Sequence, residues 1–187
     1  MDAFLLNVSE LPDEKNVTFE DSSFFTSPNS PGILPTPAEV RAAAAMVNKA
    51  GRPSCRPHPV KFPSLNLIVK YGSYVNVAEG QCLWSLRRLL ADAVPVPEVY
   101  GWCRDQNETF IFMELIQGTT LENRWDELST AERLDICAQL RRMIDSLHKL
   151  RQDPADRFIG REDCLLSSIH ARTAKNSTRL HRTTSTS

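Results

Sequence analysis

The stretch LNLIVKYGSYVNVAEGQCLWSLRRLL, residues 65–90, decides the fold. Its first part, LNLIVKY, is rich in branched apolar residues and predicts a strand. Asn76, with Glu79 three residues later, is typical of a capped helix start, and this helix is expected to end near Leu90. The proline-rich connector before the strand leaves room for an edge strand near Val60–Phe62. The stretch therefore predicts a buried strand, a turn and an amphipathic helix.

The predicted strand and helix each carry one charged residue among apolar ones. Lys70 shares a strand face with Ile68, and Glu79 lies one helical turn before Leu83 on the apolar side of the helix. Burying a carboxylate is costly unless it is paired, so the lysine of the adjacent strand is its expected partner. An ammonium group fixed in this way is suited to bind phosphate. In the alternative, Lys70 extends to solvent and Glu79 only favours the helix N-terminus.

The next part of the chain predicts two more strands and a long helix. The strands are expected at 98–103 and 109–115, joined by a hairpin turn at RDQNE. Ser129 and Glu132 form a capping box at the start of the helix, and Pro154 is expected to end it. Its apolar residues recur at helical spacing and are called here the long-helix stripe. The long-helix stripe consists of Leu134, Cys137, Leu140, Ile144 and Leu147.

Composition divides the chain into five parts. Residues 1–35 are acidic and rich in Ser, Asn and Pro, which predicts a disordered lead-in. Residues 36–51 predict an alanine-rich helix, and 52–118 contain the strands with the Lys70–Glu79 pair. Residues 119–160 contain the long helix. Residues 161–187 are basic and rich in Ser and Thr, which predicts a disordered tail.

Charge and cysteine usage exclude several classes of protein. The net charge of the 187 residues is −1, which argues against nucleic acid or a membrane surface as a partner. The five cysteines are scattered and form no CxxC pair, so we predict neither a zinc site nor a disulfide framework. The sequence shows no signal peptide and no apolar stretch of membrane-spanning length, which predicts a cytoplasmic protein.

The order of these elements resembles the small lobe of kinase-like phosphotransferases, in which a strand lysine is held by a helix glutamate. The segments LIVKYGSYVNVAEGQCLWSLRRLL, VPVPEVYGWC, FIFMELIQGTTLENRWDELS and FIG resemble the fungal branch of the aminoglycoside phosphotransferase-like family, over roughly residues 60–160. The resemblance implies an α+β fold. We expect a protein-kinase-like small lobe, with a short antiparallel sheet plus a helix, followed by the hinge and the first helix of the large lobe, in truncated form.

The resemblance also implies a nucleotide site. Its residues would be Lys70, Glu79, Met113, Glu114, Leu115 and Ile116. Lys70 would hold the nucleotide phosphates, Glu79 would orient Lys70, and Met113 would line the back of the adenine pocket. Residues 114–116 would form the hinge, whose main chain meets the adenine edge. ATP and Mg²⁺ are the implied cofactors, and the implied partners are a nucleotide and a hydroxyl acceptor.

Two parts of the family machinery are not found in the sequence. A glycine-containing phosphate loop is expected before residue 65, but the segment there offers Gly51 followed by prolines. A His-Gly-Asp…Asn loop with a later Asp is expected after the long helix, and the sequence there contains neither. His148 and His170 lack the neighbours that such a loop needs. We therefore predict no catalytic residue and no metal ligand in this chain. The resemblance stops after Gly160 in our reading, and translation in an aberrant frame is our hypothesis for the tail.

Three interpretations follow from the sequence. The chain is a truncated phosphotransferase that moves the ATP γ-phosphate to a hydroxyl and is itself inactive. Alternatively, it is a non-catalytic pseudokinase-like fragment that binds a partner through the long-helix stripe. In the third interpretation it is a generic α+β domain in which the pair of Lys70 and Glu79 is structural.

Overall fold

The fold was obtained as a computed structural model, which describes residues 4–28, 32–47 and 57–152. The strands are β1 (Phe4–Leu6), β2 (Val17–Thr18), β3 (Val60–Phe62), β4 (Leu67–Gly72), β5 (Val99–Asp105), β6 (Glu108–Glu114) and β7 (Leu150–Gln152). The α-helices are α1 (Ser23–Thr26), α2 (Pro37–Val47), α3 (Val77–Leu90), α4 (Leu121–Arg124) and α5 (Thr130–Leu147). Short 3-10 helices span Val8–Glu10, Pro63–Leu65 and Trp125–Glu127.

A five-stranded antiparallel sheet forms the centre of the fold, in the order β2-β5-β6-β4-β3. The α+β fold with a short antiparallel sheet is therefore confirmed. The helix predicted after Asn76 is α3, and the Asn76 side chain accepts a hydrogen bond from the Ala78 amide as its cap. The hairpin turn contains fewer residues than predicted, because β5 ends at Asp105 and β6 begins at Glu108, which leaves two residues between the strands.

The two faces of the sheet are covered by different helices. On one face, Val69 and Phe112 lie in a core cluster with Val40 of α2 and Phe24 of α1. On the other face, Trp102 lies in a second cluster with Val77, Val99 and Ile111. Since β4 alternates, Leu67, Val69 and Tyr71 point toward α2. Lys70 is consequently on the opposite face, the one that α3 covers.

The amino-terminal segment differs from its predicted disorder. Residues 4–19, called here the N-terminal strap, include β1 and β2 and run along α3 and β5. The indole Nε1 of Trp102 donates to the Glu14 carbonyl at 3.0 Å, and the Gln81 side chain donates to the Pro12 carbonyl at 2.7 Å. These partners lie about seventy or more residues away. Composition does not show such long-range pairing, so the prediction of disorder is wrong for the strap.

The sheet and its core include residues that precede the predicted small lobe, 52–118. β2 extends the sheet beyond β5, and α1 and α2 supply Phe24, Val40 and Ala44 to the core. The helix predicted at 36–51 corresponds to α2, Pro37–Val47, with Thr36 and Glu39 exchanging hydrogen bonds at its start, and residues 48–51 lie outside the described residues. The core on the sheet face opposite Lys70 is therefore completed by residues that precede residue 52.

The long helix ends earlier than predicted. Ser129 and Glu132 form the expected capping box, but α5 stops at Leu147, with His148 as the C-cap residue. Residues 150–152 then form β7, which pairs in parallel with β1. The stop at Leu147 does not need a proline, because strand pairing with the N-terminal strap competes with continuation of the helix.

The long-helix stripe is mostly open to solvent. Leu134, Leu140 and Ile144 are exposed by 66%, 44% and 50%, and Cys137 is exposed. None of the residues of α5 in the described part of the chain is buried. Among the described residues, α5 thus has no fully buried apolar side chain.

Some predictions fall outside the described residues. Residues 48–56, with Gly51 and Cys55, are among them, and so are residues 153–187, with Pro154, Cys164 and His170. Among residues 4–28, 32–47 and 57–152, no helix combines the length and the apolar character needed to cross a membrane.

Candidate nucleotide-binding site

Lys70 and Glu79 form the ion pair predicted from the sequence. The ammonium nitrogen Nζ of Lys70 contacts the carboxylate oxygen Oε2 of Glu79. The Lys70 side chain keeps 41% of its surface exposed and that of Glu79 keeps 26%. An ammonium group has three N–H donors, so one can serve the carboxylate while others stay available to a ligand. The pair thus presents a positioned cation at the surface of the lobe.

Local sequence explains why the pair forms. The Asn76 cap fixes the start of α3, because its Oδ1 accepts from the Ala78 amide at 3.1 Å. Glu79 is therefore in the first turn of α3, where a carboxylate also complements the helix dipole. Lys70 is two residues from the end of β4, and the turn that leads to α3 follows the end of this strand. Strand, turn and helix together return the carboxylate to the lysine.

The strand register places further predicted residues on the Lys70 face. Ile68 is opposite Met113, and Lys70 is opposite Ile111. Cross-strand partners share one face of a sheet. Met113 also packs against the cluster that contains Trp102. Ile68, Lys70 and Met113 thus lie on one face, as a nucleotide pocket requires.

Lys61 is a second cation on this face that the sequence analysis did not identify. It is opposite Ile68 in the register of β3 and β4, and it is exposed. The alternation of β3 would reveal it only once the register with β4 is known, because a shift of one residue reverses its face.

The hinge predicted at 114–116 begins at Glu114, the last residue of β6. The Glu114 amide donates to the Glu98 carbonyl at 2.8 Å. The Glu98 amide, however, donates to the Glu114 side-chain oxygen Oε2 at 3.2 Å instead of to the Glu114 carbonyl. The sheet ladder between these residues is therefore one-sided, and Glu98 does not occupy the main-chain acceptor of Glu114.

The two residues after Glu114 differ in their surroundings. Leu115 is buried, and its amide donates to the Asn66 carbonyl at 2.9 Å. Ile116 is 62% exposed. Asn66 also accepts a hydrogen bond from the Gln117 side chain at 3.3 Å, and its own backbone is left-handed, with φ 48°. Asn66 therefore holds residues 115 and 117 at two points, a contact that its position before the predicted strand does not reveal.

A shallow cleft near the C-terminal half of α3 shares no residue with the predicted site. Phe19, Trp84 and Val99 are among the residues that line it. Its arginines are already engaged, since Arg88 lies over the Trp84 ring at 4.7 Å and Arg87 is 3.7 Å from a Glu98 oxygen. The cleft therefore combines acidic and basic side chains, and both of its arginines already contact other residues.

Binding of a metal ion requires a group of side chains that can act as its ligands. No group of three or more His, Cys, Asp or Glu side chains that could hold a metal ion occurs in residues 4–28, 32–47 and 57–152. Magnesium is bound through carboxylates together with substrate phosphates.

A comparison with protein-family models matches residues 78–184 to a family described as "APH: Phosphotransferase enzyme family". The match covers more than half of the chain. The chain belongs to this phosphotransferase family. Members of the family transfer a phosphoryl group to a hydroxyl acceptor and generally use ATP with a divalent metal ion. Comparisons with curated proteins and with solved structures gave no match.

The limits of the family match differ from those of the sequence resemblance. The match begins at Ala78, so it includes Glu79 and the hinge but not Lys70. It continues to residue 184, through the tail in which the motifs predict no family resemblance. That prediction is wrong, and the hypothesis of an aberrant reading frame loses its basis. The assignment of Lys70 rests on its contact with Glu79 and on the sheet register.

Proposed function

We propose that this chain contains the nucleotide-binding lobe of a phosphotransferase that moves the γ-phosphate of ATP to a hydroxyl acceptor. The observation that supports the proposal best is the contact between Lys70 and Glu79 on the sheet face that also holds Ile68 and Met113. In kinase-like phosphotransferases, phosphoryl transfer depends on positioning and charge stabilisation more than on covalent chemistry by the protein. The ammonium of Lys70, positioned by Glu79, supports this proposal because it can supply part of that charge stabilisation.

Lys70 and Glu79 have different roles in the proposed site. The exposed part of the Lys70 ammonium donates hydrogen bonds to phosphate oxygens of the nucleotide. Glu79 accepts one N–H of the same ammonium and so restricts where it can lie. The restriction lowers the conformational entropy that Lys70 loses when the nucleotide binds.

The hinge supplies the main-chain groups for the base. We infer that the Glu114 carbonyl accepts from the adenine amino group and that the Ile116 amide donates to a ring nitrogen. The Glu98 amide donates to the Glu114 side chain and not to the Glu114 carbonyl, which supports the first contact. Ile116 is exposed, which supports the second contact. Met113 and Ile68 offer apolar surface to the base, since they are neighbours across β4 and β6.

Turnover is not expected from these 187 residues alone. The sequence contains no His-Gly-Asp…Asn loop and no later metal-binding aspartate in register. In this class of enzyme an aspartate accepts the proton of the acceptor hydroxyl, and another acidic residue holds magnesium. We propose that the chain binds nucleotide without transferring phosphate.

The test is equilibrium binding of a fluorescent ATP analogue to the full chain, with and without magnesium. Lys70→Met should weaken binding by roughly ten- to a hundredfold, because a hydrogen bond from a charged group contributes about 1.5–3 kcal/mol. Glu79→Gln should weaken binding less, since the ammonium stays but is no longer held. Lys149→Met, which removes one positive charge after α5, is the matched control and should bind like the wild type.

Equal affinity of the Lys70→Met and Lys149→Met variants would refute the proposed phosphate contact. Transfer of phosphate to water or to a hydroxyl compound by the purified wild-type chain would refute the second part of the proposal.

A second candidate function rests on the long-helix stripe. Leu134, Leu140 and Ile144 are exposed on one helix, which suits a non-catalytic fragment that binds a partner. A chain that binds no nucleotide, yet forms a defined complex lost when these three residues become glutamine, would favour this second function.

A further inference from the structure

We propose that Gly80 and Trp102 are positioning residues for the nucleotide site. They set the distance between α3 and the sheet at which Glu79 reaches Lys70, and the N-terminal strap holds the Trp102 ring in the required place. The inference deepens the proposed function, because it concerns the same Lys70–Glu79 pair.

The first step is the close approach of α3 to the sheet at Gly80. Gly80 is buried, follows Glu79 directly and lies over the six-membered ring of the Trp102 indole. A Cβ atom added at Gly80 would be 2.8 Å from Cε3 of Trp102 and 3.3 Å from Cζ3. Real Cβ atoms essentially never come within 3.0 Å of a heavy atom in this way. Only glycine allows the helix backbone to lie on the ring at this distance.

The second step is that this glycine has no other structural reason to be there. Glycine is a weaker helix former than alanine, and position 80 is in the interior of a helix that runs to Leu90. No positive φ is found at Gly80, in contrast to Gly72 and Gly118. The close contact with the indole is therefore what the residue provides.

The third step is that the indole itself is held from three sides. Its Nε1–H donates to the Glu14 carbonyl at 3.0 Å. The Phe19 ring meets it edge-on, with centroids 5.3 Å apart. Val17 pairs with Trp102 in the sheet, and Gly101 allows this approach, because a Cβ there would be 2.4 Å from the Val17 carbonyl oxygen. The N-terminal strap thus fixes the surface on which Gly80 rests.

The fourth step is that the strap also contacts α3 directly. The Gln81 side chain donates to the Pro12 carbonyl at 2.7 Å, and Phe19 stacks on Trp84. Strap, indole and helix therefore form one packed unit beside Glu79. A shift of the helix away from the sheet moves Glu79 with it and separates the carboxylate from Lys70.

The test uses a readout that does not need nucleotide. The folded chain is treated with a small amine-reactive reagent, and the rate of acylation at Lys70 is measured by mass spectrometry after digestion. A carboxylate-bound ammonium reacts slowly, so Glu79→Gln should raise the rate by about two- to fivefold, as expected for loss of one partly exposed ion pair. Gly80→Ala should raise it by a similar factor.

Two combined variants separate positioning from general damage. Trp102→Phe removes Cε3 and Cζ3, so the double variant Gly80→Ala/Trp102→Phe should return to a slower rate than Gly80→Ala alone. In a Glu79→Gln background, Gly80→Ala should have no further effect on the rate. Leu90→Ala is the control, because Leu90 is buried at the far end of α3 and its loss lowers stability without moving Glu79.

The inference is overturned if Gly80→Ala is acylated at the wild-type rate, if Leu90→Ala raises the rate as much as Gly80→Ala, or if the effects of Gly80→Ala and Glu79→Gln multiply. Nucleotide binding measured on the same variants keeps the two proposals distinct. A wild-type chain that binds no nucleotide but shows the expected acylation pattern refutes the proposed function and supports the positioning. If nucleotide binding depends on Lys70, but Gly80→Ala changes neither the nucleotide affinity nor the acylation rate, the proposed function is supported and the positioning is refuted.

Discussion

Arg41 joins α2 to the hairpin between β5 and β6, and its removal is expected to weaken this attachment. Its Nη1 donates to an Asp105 carboxylate oxygen at 2.6 Å, and its Nε donates to Glu108 at 2.8 Å. The centre of the guanidinium also lies 5.0 Å from the Phe110 ring centroid. The hydrogen bonds that Arg41 donates to Asp105 and Glu108 raise its pKa further above the ordinary value. Arg41→Met keeps an apolar chain of similar length and removes the charge.

The magnitude follows from the exposure of these groups. The Arg41 side chain is 29% exposed, and those of Asp105 and Glu108 are 41% and 29% exposed, so water screens both pairs. Each partly exposed pair contributes about 0.2–1 kcal/mol, and the contact with the ring contributes about 0.5–1 kcal/mol. We therefore expect Arg41→Met to lower the free energy of unfolding by about 2 kcal/mol. Arg41→Lys, which offers a point charge instead of a fork, should recover about half of that loss.

The assay is urea unfolding monitored by tryptophan fluorescence, at low salt and in about 1 M NaCl. The loss in Arg41→Met should be smaller at high salt, because salt already weakens the pairs in the wild type. Nucleotide affinity should not change, since α2 covers the sheet face opposite Lys70. A loss below about 0.5 kcal/mol, or an equal loss when Asp105 and Glu108 have already been replaced by amides, would refute the reasoning.

Three further predictions concern other parts of the chain. Hydrogen bonds from the Ser129 side chain and backbone lower the pKa of Glu132 below 4.5, so the stability that Glu132 contributes to α5 is present above pH 4.5 and is lost as the pH falls through the lower folded value. Circular dichroism in acid should show a loss of helix signal, and Glu132→Gln should abolish this pH dependence. Burial raises the pKa of the Cys103 thiol, with Asp105 adding to the shift, so iodoacetamide should alkylate the exposed Cys137 first; equal rates would contradict the burial. Replacing Leu134, Leu140 and Ile144 of the long-helix stripe by glutamine should change the free energy of urea unfolding by no more than about 0.5 kcal/mol, because these side chains are exposed, and a much larger loss would mean that the stripe is covered.

The contact between Lys70 and Glu79 could be predicted from the sequence, because its signals are short-range. The cap at Asn76, the alternation around Lys70 and the spacing from Glu79 all lie within fifteen residues. Each is a local property of strand or helix geometry. The structure confirms the pair of Lys70 and Glu79 and places Met113 on the same face. Lys61 and Asn66 were not found, because their roles depend on the register between strands.

The sequence by itself determined the elements whose signals are local: β4, α3, the β5–β6 hairpin and the capped start of α5. Only the tertiary structure decided where the amino-terminal residues lie. Val17, Phe19 and Phe24 stand among polar neighbours and gain stability only when β5, α3 and the sheet bury them. The end of α5 was decided in the same way, by pairing of β7 with β1. Contacts between distant segments form only after the chain has been folded back on itself, and no local pattern encodes them.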